Sequence, residues 1–222
     1  AKPGEPTWDS PWGPGRPGWH IECTAMSLDH FGQQFDIHGG GHDLRFPHHE
    51  AEIFQGECHT GCSPIVHHWL HNGFVNIDGE KMSKSLGNFW TIRDILQQID
   101  AMVLRFALIN ALYRSPIDMN ESLLKDAERN YNRVLECYIS ALKSRTTQFP
   151  VALPQPDITS QQPLTKSLAM LEKMGEGFAQ AMDDDFNSRD AVAKVLGGVR
   201  EISKILSSGL DEADRDAFSH YA

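Results

Sequence analysis

The sequence predicts an α/β first half followed by an all-α helical bundle. Two apolar runs in the first half, FDIH at 35–38 and GFVNI at 73–77, are short and bounded by turn-forming residues, as buried strands are. Between 124 and 142, apolar residues instead recur every three or four positions, which is typical of one face of a helix. This change of period indicates a domain boundary near residues 114–120.

We therefore assign residues 1–117 to the first domain and 118–222 to the second. The first domain is predicted to end in a helix at about 91–113. The second is predicted to begin with a long helix, because Asp118 and Glu121 have the spacing of a capping box.

The rest of the second domain is predicted to contain two more helices. A loop at about 146–163, rich in proline and glutamine, separates the first helix from an apolar stripe at 164–182. A third helix is predicted to start near Asn187 and to extend to about Leu206. Together these elements form a small helical bundle.

Composition limits the function classes. The chain has 222 residues, 40% of them hydrophobic, a net charge of −10 and only four cysteines. No apolar run approaches the length of a membrane span, and so few scattered cysteines do not make a disulfide framework. We expect a soluble, cytoplasmic protein.

The net charge neither predicts nor excludes binding of RNA, which would need a local basic patch. The proline-rich and glycine-rich start without methionine predicts that the chain is part of a longer protein.

A first cluster of polar residues predicts a metal site. Ten of the eleven histidines lie between His20 and His71. On a helix, His48 and Glu52 share one face, and Pro47 suits the first turn of that helix. With a thiolate from Cys23, the set suits zinc. The spacing equally fits a solvated helix face. A competing ligand set contains the following residues: Cys58, His59, Cys62, His67 and His68.

Two further segments predict contacts with phosphate and ribose. DGEKMSKSLGN at 78–88 combines two lysines, two serines and two glycines, which can neutralise and cradle phosphate oxygens. HGGGHD at 38–43 allows close backbone approach to a ligand, and Asp43 can accept hydrogen bonds from a ribose. Each segment alone also fits an ordinary turn.

In combination these segments resemble one family. PTWDSPWGPGRPGWHIECTAM, FDIHGGGHDLRFPHHEAE and GEKMSKSLGN stand in the order of the blocks of cysteinyl-tRNA synthetases, which are class I aminoacyl-tRNA synthetases, and LYRSPIDM continues the match. The sequence departs from the family pattern at Ala51 and at Leu112. The resemblance implies the second half of a Rossmann-like nucleotide-binding fold, followed by a tRNA-contacting helical bundle.

The resemblance also implies a set of functional residues. It implies one zinc ion held by Cys23, His48 and Glu52, with a fourth ligand outside this chain, and it makes His49 and Glu50 supporting groups. Substrate cysteine would contact Trp19, His20 and His38. Lys84 and Lys81 would be catalytic. The residues implied to bind ATP are Gly40, Asp43, Lys81, Met82, Ser83, Lys84 and Ser85.

The resemblance implies an ATP-dependent cysteine–tRNA ligase of protein biosynthesis. Its partners would be ATP with Mg²⁺, cysteine and tRNA(Cys), and it would not bind a membrane. We expect the full-length enzyme to be a monomer and this chain alone to be inactive. Two alternatives remain open at this point. One is the mycothiol-pathway ligase that joins cysteine to an amino sugar, and the other is a non-catalytic half-protein that binds zinc and RNA.

Overall fold

The computed structural model describes residues 3–77, 79–82, 90–144 and 162–208. The chain divides into two compact units, Ala1–Phe74 and Val75–Ala222. Each unit is described by itself below. The assignment of domains 1–117 and 118–222 stays a prediction. None of the described helices is both long enough and apolar enough to cross a membrane.

The first unit contains a parallel β-α-β arrangement preceded by a helix. Its elements are α1 (Trp19–Phe31), β1 (Phe35–Gly41), α2 (Glu50–Thr60) and β2 (Val66–Asn72). Strands β1 and β2 are parallel, with Phe35 opposite Val66 and Gly41 opposite Asn72. Helix α2 ends at Gly61, whose φ of 73° is left-handed and whose N–H donates to the carbonyl of Glu57. The parallel pairing confirms the predicted α/β class.

The sequence analysis predicted β1 but did not predict α1 or β2. Helix α1 buries only Thr24, so it lacks the apolar stripe that identifies an amphipathic helix. Strand β2, with the sequence VHHWLHN, contains three histidines and shows no alternation of buried and exposed positions. Both elements are recognised only from their packing.

The second unit begins with a three-stranded sheet and two short helices. The strands are β3 (Val75–Ile77), β4 (Glu80–Lys81) and β5 (Ile117–Met119). Strand β3 lies in the middle, antiparallel to β4 and parallel to β5. The helices are α3 (Ile92–Ile95) and α4 (Ala101–Ile109).

The prediction of one continuous helix at 91–113 is wrong. Asp100 has an extended backbone, and its side chain accepts a hydrogen bond from the Met102 N–H at 2.7 Å. This is an N-cap, and it starts α4 as a separate helix. Thr91 caps α3 in the same way, in a capping box with Asp94.

The predicted role of Asp118 is also wrong. Asp118 lies in β5, and its Oδ1 accepts a hydrogen bond from the Gly79 N–H at 2.7 Å. Asn120 caps the long helix instead, because its Oδ1 accepts from the Leu123 N–H at 2.9 Å. The bundle therefore begins after β5, at Glu121.

Three long helices form the bundle, as predicted. They are α5 (Glu121–Ser144), α6 (Gln162–Asp183) and α7 (Ser188–Ser208). The predicted loop at about 146–163 lies almost wholly outside the described residues. One core cluster joins α4, α5 and α7, and its buried members are Val103, Phe106, Ala107, Ala127 and Val192.

The turn between α6 and α7 is held by polar contacts to the segment that follows α4. Asp185 and Phe186 have left-handed φ angles of 52° and 54°. The Tyr113 hydroxyl donates to Asp185 Oδ1 at 2.8 Å, and the Arg114 Nε–H donates to Asp185 Oδ2. These bonds, the one from Arg114 first, lower the pKa of the Asp185 carboxyl.

We expect the Asp185→Asn variant to be less stable than the wild type at neutral pH, with a difference that depends on pH. Asparagine tolerates the left-handed φ, so the substitution removes mainly the charge. Because the folded-state pKa lies below the unfolded value, the carboxylate stabilises the fold above about pH 4, and this contribution is lost as pH falls through the folded pKa. Urea unfolding of both proteins between pH 7 and pH 3 measures the difference. A difference that is constant with pH would contradict the assignment.

Candidate metal centre

Three potential ligands from two helices and the turn between them meet in the first unit. Cys23 lies on α1, Glu52 lies on α2, and His48 lies in the turn that leads into α2. One ligand atom from each residue lies within 4.8 Å of the other two. His48 and Glu52 are 3% and 4% exposed, and such burial is rare for polar side chains unless they are paired or bind a ligand. The structure thus brings together the three residues that the sequence analysis selected.

The local sequence explains the position of His48. Phe46 has an extended backbone, with φ −141° and ψ 134°, as is common for a residue before proline. Within the widened turn Arg45–His49 only Phe46 is non-helical. From Pro47 onwards the backbone is helical and continues into α2. His48 Nε2 consequently lies 2.9 Å from Glu52 Oε1, one helical turn later. The prediction that these two side chains share a face is confirmed.

The Glu52 carboxylate has a buried oxygen atom that a cation could satisfy. Its Oε1 is buried and has no hydrogen-bond donor, although His48 Nε2 is 2.9 Å away. The other ring nitrogen of His48, Nδ1, is hydrogen-bonded to His20 Nδ1 at 2.8 Å. With the His48 proton in that bond, Nε2 and Oε1 present lone pairs to each other. A metal ion between them would satisfy both, so the residues fit the zinc that the resemblance implies.

The electrostatics of the site also fit a bound cation. Burial raises the pKa of Glu52 to about 7 and lowers the pKa of His48. Burial, with the charges of Glu52 and Glu22, raises the pKa of the Cys23 thiol. The lowered pKa favours the neutral form of His48, which a metal ligand must have, and the raised pKa values disfavour the anionic forms of Glu52 and Cys23. A bound cation would oppose both of these upward shifts.

The three residues predicted to contact cysteine surround the same centre. The Trp19 ring stacks on His48, with centroids 4.2 Å apart and planes 25° apart. His20 bonds to His48 as described above. His38 Nε2 lies 3.3 Å from Glu52 Oε2, whereas His48 is close to the other carboxylate oxygen, Oε1. Trp19 also lines an open cavity of about 640 Å³, whose lining includes none of Cys23, His48 and Glu52.

A second potential ligand group shares Glu52. It consists of His38, His49 and Glu52, whose ligand atoms also lie within 4.8 Å of one another. His49 is buried, and its Nδ1 is 2.8 Å from His71 Nε2. Burial first, and then the neighbouring histidines, lower the pKa of His49 to about 4. His49 is therefore a neutral, hydrogen-bonded group, which agrees with a supporting role.

The sequence analysis missed His71. It lies two residues after Trp69 on β2, so both side chains project from one face of the strand, and their rings are nearly parallel at 6.5 Å. Recognising β2 as a strand would have placed them together. Because β2 was not predicted, the sequence analysis missed part of the site as well as part of the fold.

The glycine turn predicted to approach a nucleotide follows β1. Gly40 is in the last part of the strand, and Asp43 lies in the short helical turn His42–Leu44. A Cβ atom at Gly40 would lie 2.8 Å from His49 Cε1 and 3.0 Å from Leu44 Cδ1. Gly40 is thus required for the packing of His49, in addition to its predicted approach to ATP.

We expect Gly40→Ala to destabilise the protein by about 1–3 kcal/mol, because His49 and Leu44 must move to accommodate the methyl group. Gly39→Ala is the matched control in the same strand. There a Cβ would meet only ordinary contacts, the nearest being the Leu70 carbonyl oxygen at 3.4 Å. Urea unfolding compares the two variants with the wild type. Equal stability of the two variants would mean that His49 does not pack against Gly40.

The remaining predicted residues lie elsewhere. Ser83, Lys84 and Ser85 are outside the described residues. In the second unit, Lys81 pairs through its backbone with Asn76, and Met82 packs against the cluster of Ile77, Ile95, Leu104 and Met119. Their roles in ATP binding stay predictions.

The competing cysteine set does not assemble in the part of the chain that the structure describes. Cys58 is exposed, and Cys62 makes a 3.8 Å contact with Gln33. Among the described residues, neither belongs to a group of three potential ligands.

Comparison with solved structures identifies the class of fold. The LeuRS of a LeuRS–tRNA–LeuAMS complex from Agrobacterium radiobacter K84 aligns with a TM-score of 0.69 at 18% identity, over 83% of this chain and 24% of that chain. A putative arginyl-tRNA synthetase from Campylobacter jejuni aligns with a TM-score of 0.56 at 12% identity, over 93% of this chain and 48% of that chain. This chain therefore shares its fold with parts of these two synthetases.

Sequence comparison identifies the family within that class. The family described as tRNA synthetases class I (C) catalytic domain matches residues 1–129, and the DALR domain matches residues 177–221. The first match covers more than half of the 222 residues, and the chain belongs to this family.

Two curated proteins that are similar to this chain in sequence have the same name. A cysteine–tRNA ligase of Syntrophotalea carbinolica is 53% identical over 93% of this chain and 40% of the relative. A cysteine–tRNA ligase of Geotalea daltonii is 49% identical over 96% of this chain and 43% of the relative. The chain thus spans about two fifths of the length of the curated relatives that it matches.

Proposed function

We propose that this chain is the part of a cysteine–tRNA ligase that holds the zinc centre, the second half of the nucleotide site and the helical bundle. The observation that carries the proposal is the set of half-buried Cys23 and buried His48 and Glu52, whose ligand atoms lie within 4.8 Å of one another. It occurs in a chain of the class I (C) family whose relatives are named cysteine–tRNA ligases.

The donor set supports selection of cysteine. One sulfur, one nitrogen and one oxygen suit zinc, and a fourth ligand would come from outside this chain. When bound, zinc would supply a soft Lewis acid that favours the thiolate of cysteine over the hydroxyl of serine. Cysteine and serine differ in this one heavy atom, sulfur or oxygen, and the metal would discriminate between them there.

The chain's own side chains would shape the amino-acid pocket. His20 holds the His48 ring through the 2.8 Å bond between their Nδ1 atoms, which directs His48 Nε2 towards Glu52. Trp19, stacked on His48, would form the floor of the pocket. His38 would keep Glu52 Oε2 in place through its 3.3 Å contact. These positions support roles that a comparison of variants must test.

The proposed reaction has two steps. In the first, a carboxylate oxygen of cysteine bonds to the α-phosphorus of ATP, and the bond to the leaving pyrophosphate breaks. In the second, a hydroxyl of the terminal ribose of tRNA attacks the carbonyl carbon, an ester forms and AMP leaves. Lys84 and Lys81 would neutralise charge that develops on the phosphate oxygens in the first step. Gly40 and Asp43 would contact the nucleotide, with Mg²⁺ accompanying ATP.

We also infer a cytoplasmic enzyme that acts as a monomer on tRNA(Cys). The test of the proposed function is cysteine-dependent exchange of pyrophosphate into ATP by the complete polypeptide as it exists in its source cells. We expect exchange with cysteine and at most trace exchange with serine, followed by transfer of cysteine to tRNA. Absence of exchange, despite bound zinc, would favour a non-catalytic half-protein. Exchange followed by transfer to an amino sugar would favour the mycothiol-pathway ligase.

A further inference from the structure

Helix α1 is joined to α2 by a polar side chain beside the metal centre. Thr24 directly follows Cys23 and is the buried residue of α1, at 4% exposure. Its hydroxyl donates a hydrogen bond to Gln55 Oε1 on α2 at 2.9 Å. Because α1 has no apolar stripe, hydrophobic packing alone does not fix it, and this bond contributes to its position on α2.

The bond joins the two helical turns that carry ligands. Gln55 lies three residues after Glu52 on α2, so the two side chains are neighbours on one face of that helix. On α1, Thr24 Oγ1 also lies 3.3 Å from the His20 carbonyl oxygen, one turn earlier. The turn of α1 that contains Cys23 is thereby connected to the turn of α2 that contains Glu52.

A second polar link lies on the other side of Cys23. His20 Nδ1 and His48 Nδ1 are 2.8 Å apart, and Cys23 falls between His20 and Thr24 along α1. One contact between two helices leaves them free to rotate about it, whereas two contacts at different heights restrict rotation and sliding together. Cys23 is therefore held from both sides when the Thr24–Gln55 bond is formed.

The position of α1 decides whether the sulfur can reach the metal. Of the three potential ligands, only Cys23 lies on α1, since His48 lies in the turn before α2 and Glu52 lies in α2. Zinc–sulfur bonds are about 2.3 Å long, and zinc sites keep their ligand distances within about 0.2 Å. A displacement of α1 by a fraction of an ångström is thus enough to lengthen the bond to sulfur.

Thr24 and Glu52 also line the same small cavity, of about 10 Å³. This volume is at the lower limit for one water molecule. The rest of its lining is mainly apolar and consists of Ser27, Phe35, Ile65, Val66 and Trp69. A change in the packing of Thr24 therefore alters the immediate surroundings of a ligand.

We propose that the Thr24–Gln55 hydrogen bond positions Cys23 for the metal, an inference that rests on the proposed function for the metal itself. Both are positioning residues, because neither supplies an atom to the group of Cys23, His48 and Glu52. Hydrogen bonds that orient metal ligands from outside typically change metal affinity by about 10- to 100-fold. A bond that acts through the helix backbone is one step further from the metal, so we expect an effect at the lower end of that range.

The test measures the zinc affinity of the complete polypeptide, by competition with a chelator, for Thr24→Val and Thr24→Ser. Valine has nearly the size of threonine but no hydroxyl, so Thr24→Val should weaken zinc binding about tenfold. Serine keeps the hydroxyl and loses a methyl group, so Thr24→Ser should bind zinc nearly as the wild type does. Gln55→Met removes the other partner and should have the effect of Thr24→Val.

A variant that combines Thr24→Val with Gln55→Met shows whether the two residues act through one bond. Each single change already breaks that bond, so the double variant should bind zinc about as weakly as either single variant. Affinity losses that multiply, to about 100-fold, would mean two independent effects and would overturn the proposal.

Thr60→Val is the matched control for loss of a threonine hydroxyl. Thr60 is on α2, where its hydroxyl donates to the Gly56 carbonyl at 2.8 Å and accepts from the Cys62 N–H at 3.1 Å. Its loss should lower the melting temperature and leave zinc affinity unchanged. If Thr60→Val weakened zinc binding as much as Thr24→Val, the effect would be one of general stability and the proposal would be wrong.

Co²⁺ in place of zinc reports the geometry of the bound metal rather than its amount. With the site saturated, Thr24→Val should show a weaker sulfur-to-cobalt charge-transfer absorption than the wild type, and Thr24→Ser should restore it. A change that affected only folding would leave the spectrum of the bound metal unaltered. Identical spectra for the wild type and Thr24→Val would overturn the proposal.

Zinc binding and pyrophosphate exchange by the wild type separate this inference from the proposed function. If the wild type binds zinc and supports cysteine-dependent exchange, but Thr24→Val has unchanged zinc affinity, only this inference is overturned. If the wild type binds zinc without exchange, the proposed function fails, and the zinc affinities still decide the role of Thr24. If the wild type binds no zinc, both are overturned.

Discussion

Replacing Cys23 with serine is expected to reduce zinc affinity by more than about 100-fold, with loss of cysteine activation. Removal of an outer hydrogen-bond partner of a ligand already costs about 10–100-fold in metal affinity, and loss of a direct ligand costs more. Serine is similar in size but provides a hard oxygen that is not deprotonated at neutral pH. Metal analysis after dialysis gives the affinity, and pyrophosphate exchange gives the activation rate.

Cys58→Ser provides the matched control for this substitution. Cys58 is an exposed thiol on α2 and belongs to no group of three ligands within the described residues. We expect it to retain zinc and activity. The metal assignment would be wrong if both variants lost zinc equally, or if Cys23→Ser retained it.

Replacing Lys84 with alanine is expected to slow cysteine activation by about 100-fold or more, while leaving the affinity for cysteine unchanged. The resemblance makes Lys84 the second lysine of KMSKS, and its side chain would contact the α-phosphate charge that develops only in the transition state. Loss of such a contact lowers kcat and kcat/KM together. Single-turnover formation of the adenylate measures the chemical step directly.

A lysine outside the nucleotide site controls for the loss of charge. Lys125 on α5 lies 3.0 Å from Glu121 and is well exposed. Lys125→Ala should activate cysteine at the wild-type rate. An unchanged rate in Lys84→Ala would remove Lys84 from the mechanism, and a raised KM for cysteine would instead indicate a role in substrate binding.

The sequence predicted those parts of the fold in which burial follows a regular period. Helices α5, α6 and α7 have apolar stripes, and β1 and β3 are short apolar runs between turns, so all five were predicted. Helix α1 and strand β2 have no such period. The break between α3 and α4 depends on a single side-chain cap at Asp100, and periodicity does not detect it.

The site could be predicted in part for a similar reason. Spacing alone indicated that His48 and Glu52 share a face, since both lie within one helical turn. The position of Cys23 beside them depends on the packing of α1 against α2, which spacing does not encode. Only the family resemblance selected Cys23 over Cys58 and Cys62. His71 was missed because its partner His49 is on a different element.

The central claim is that Cys23, His48 and Glu52 hold a metal that recognises the thiol of substrate cysteine. Zinc has a filled d shell and gives no visible spectrum, so Co²⁺ is the suitable replacement. We would record the absorption spectrum of the Co²⁺-substituted complete polypeptide while adding cysteine and, separately, serine. The account predicts that cysteine increases the sulfur-to-cobalt charge-transfer absorption and that serine leaves it unchanged. Identical spectra with both amino acids would contradict it.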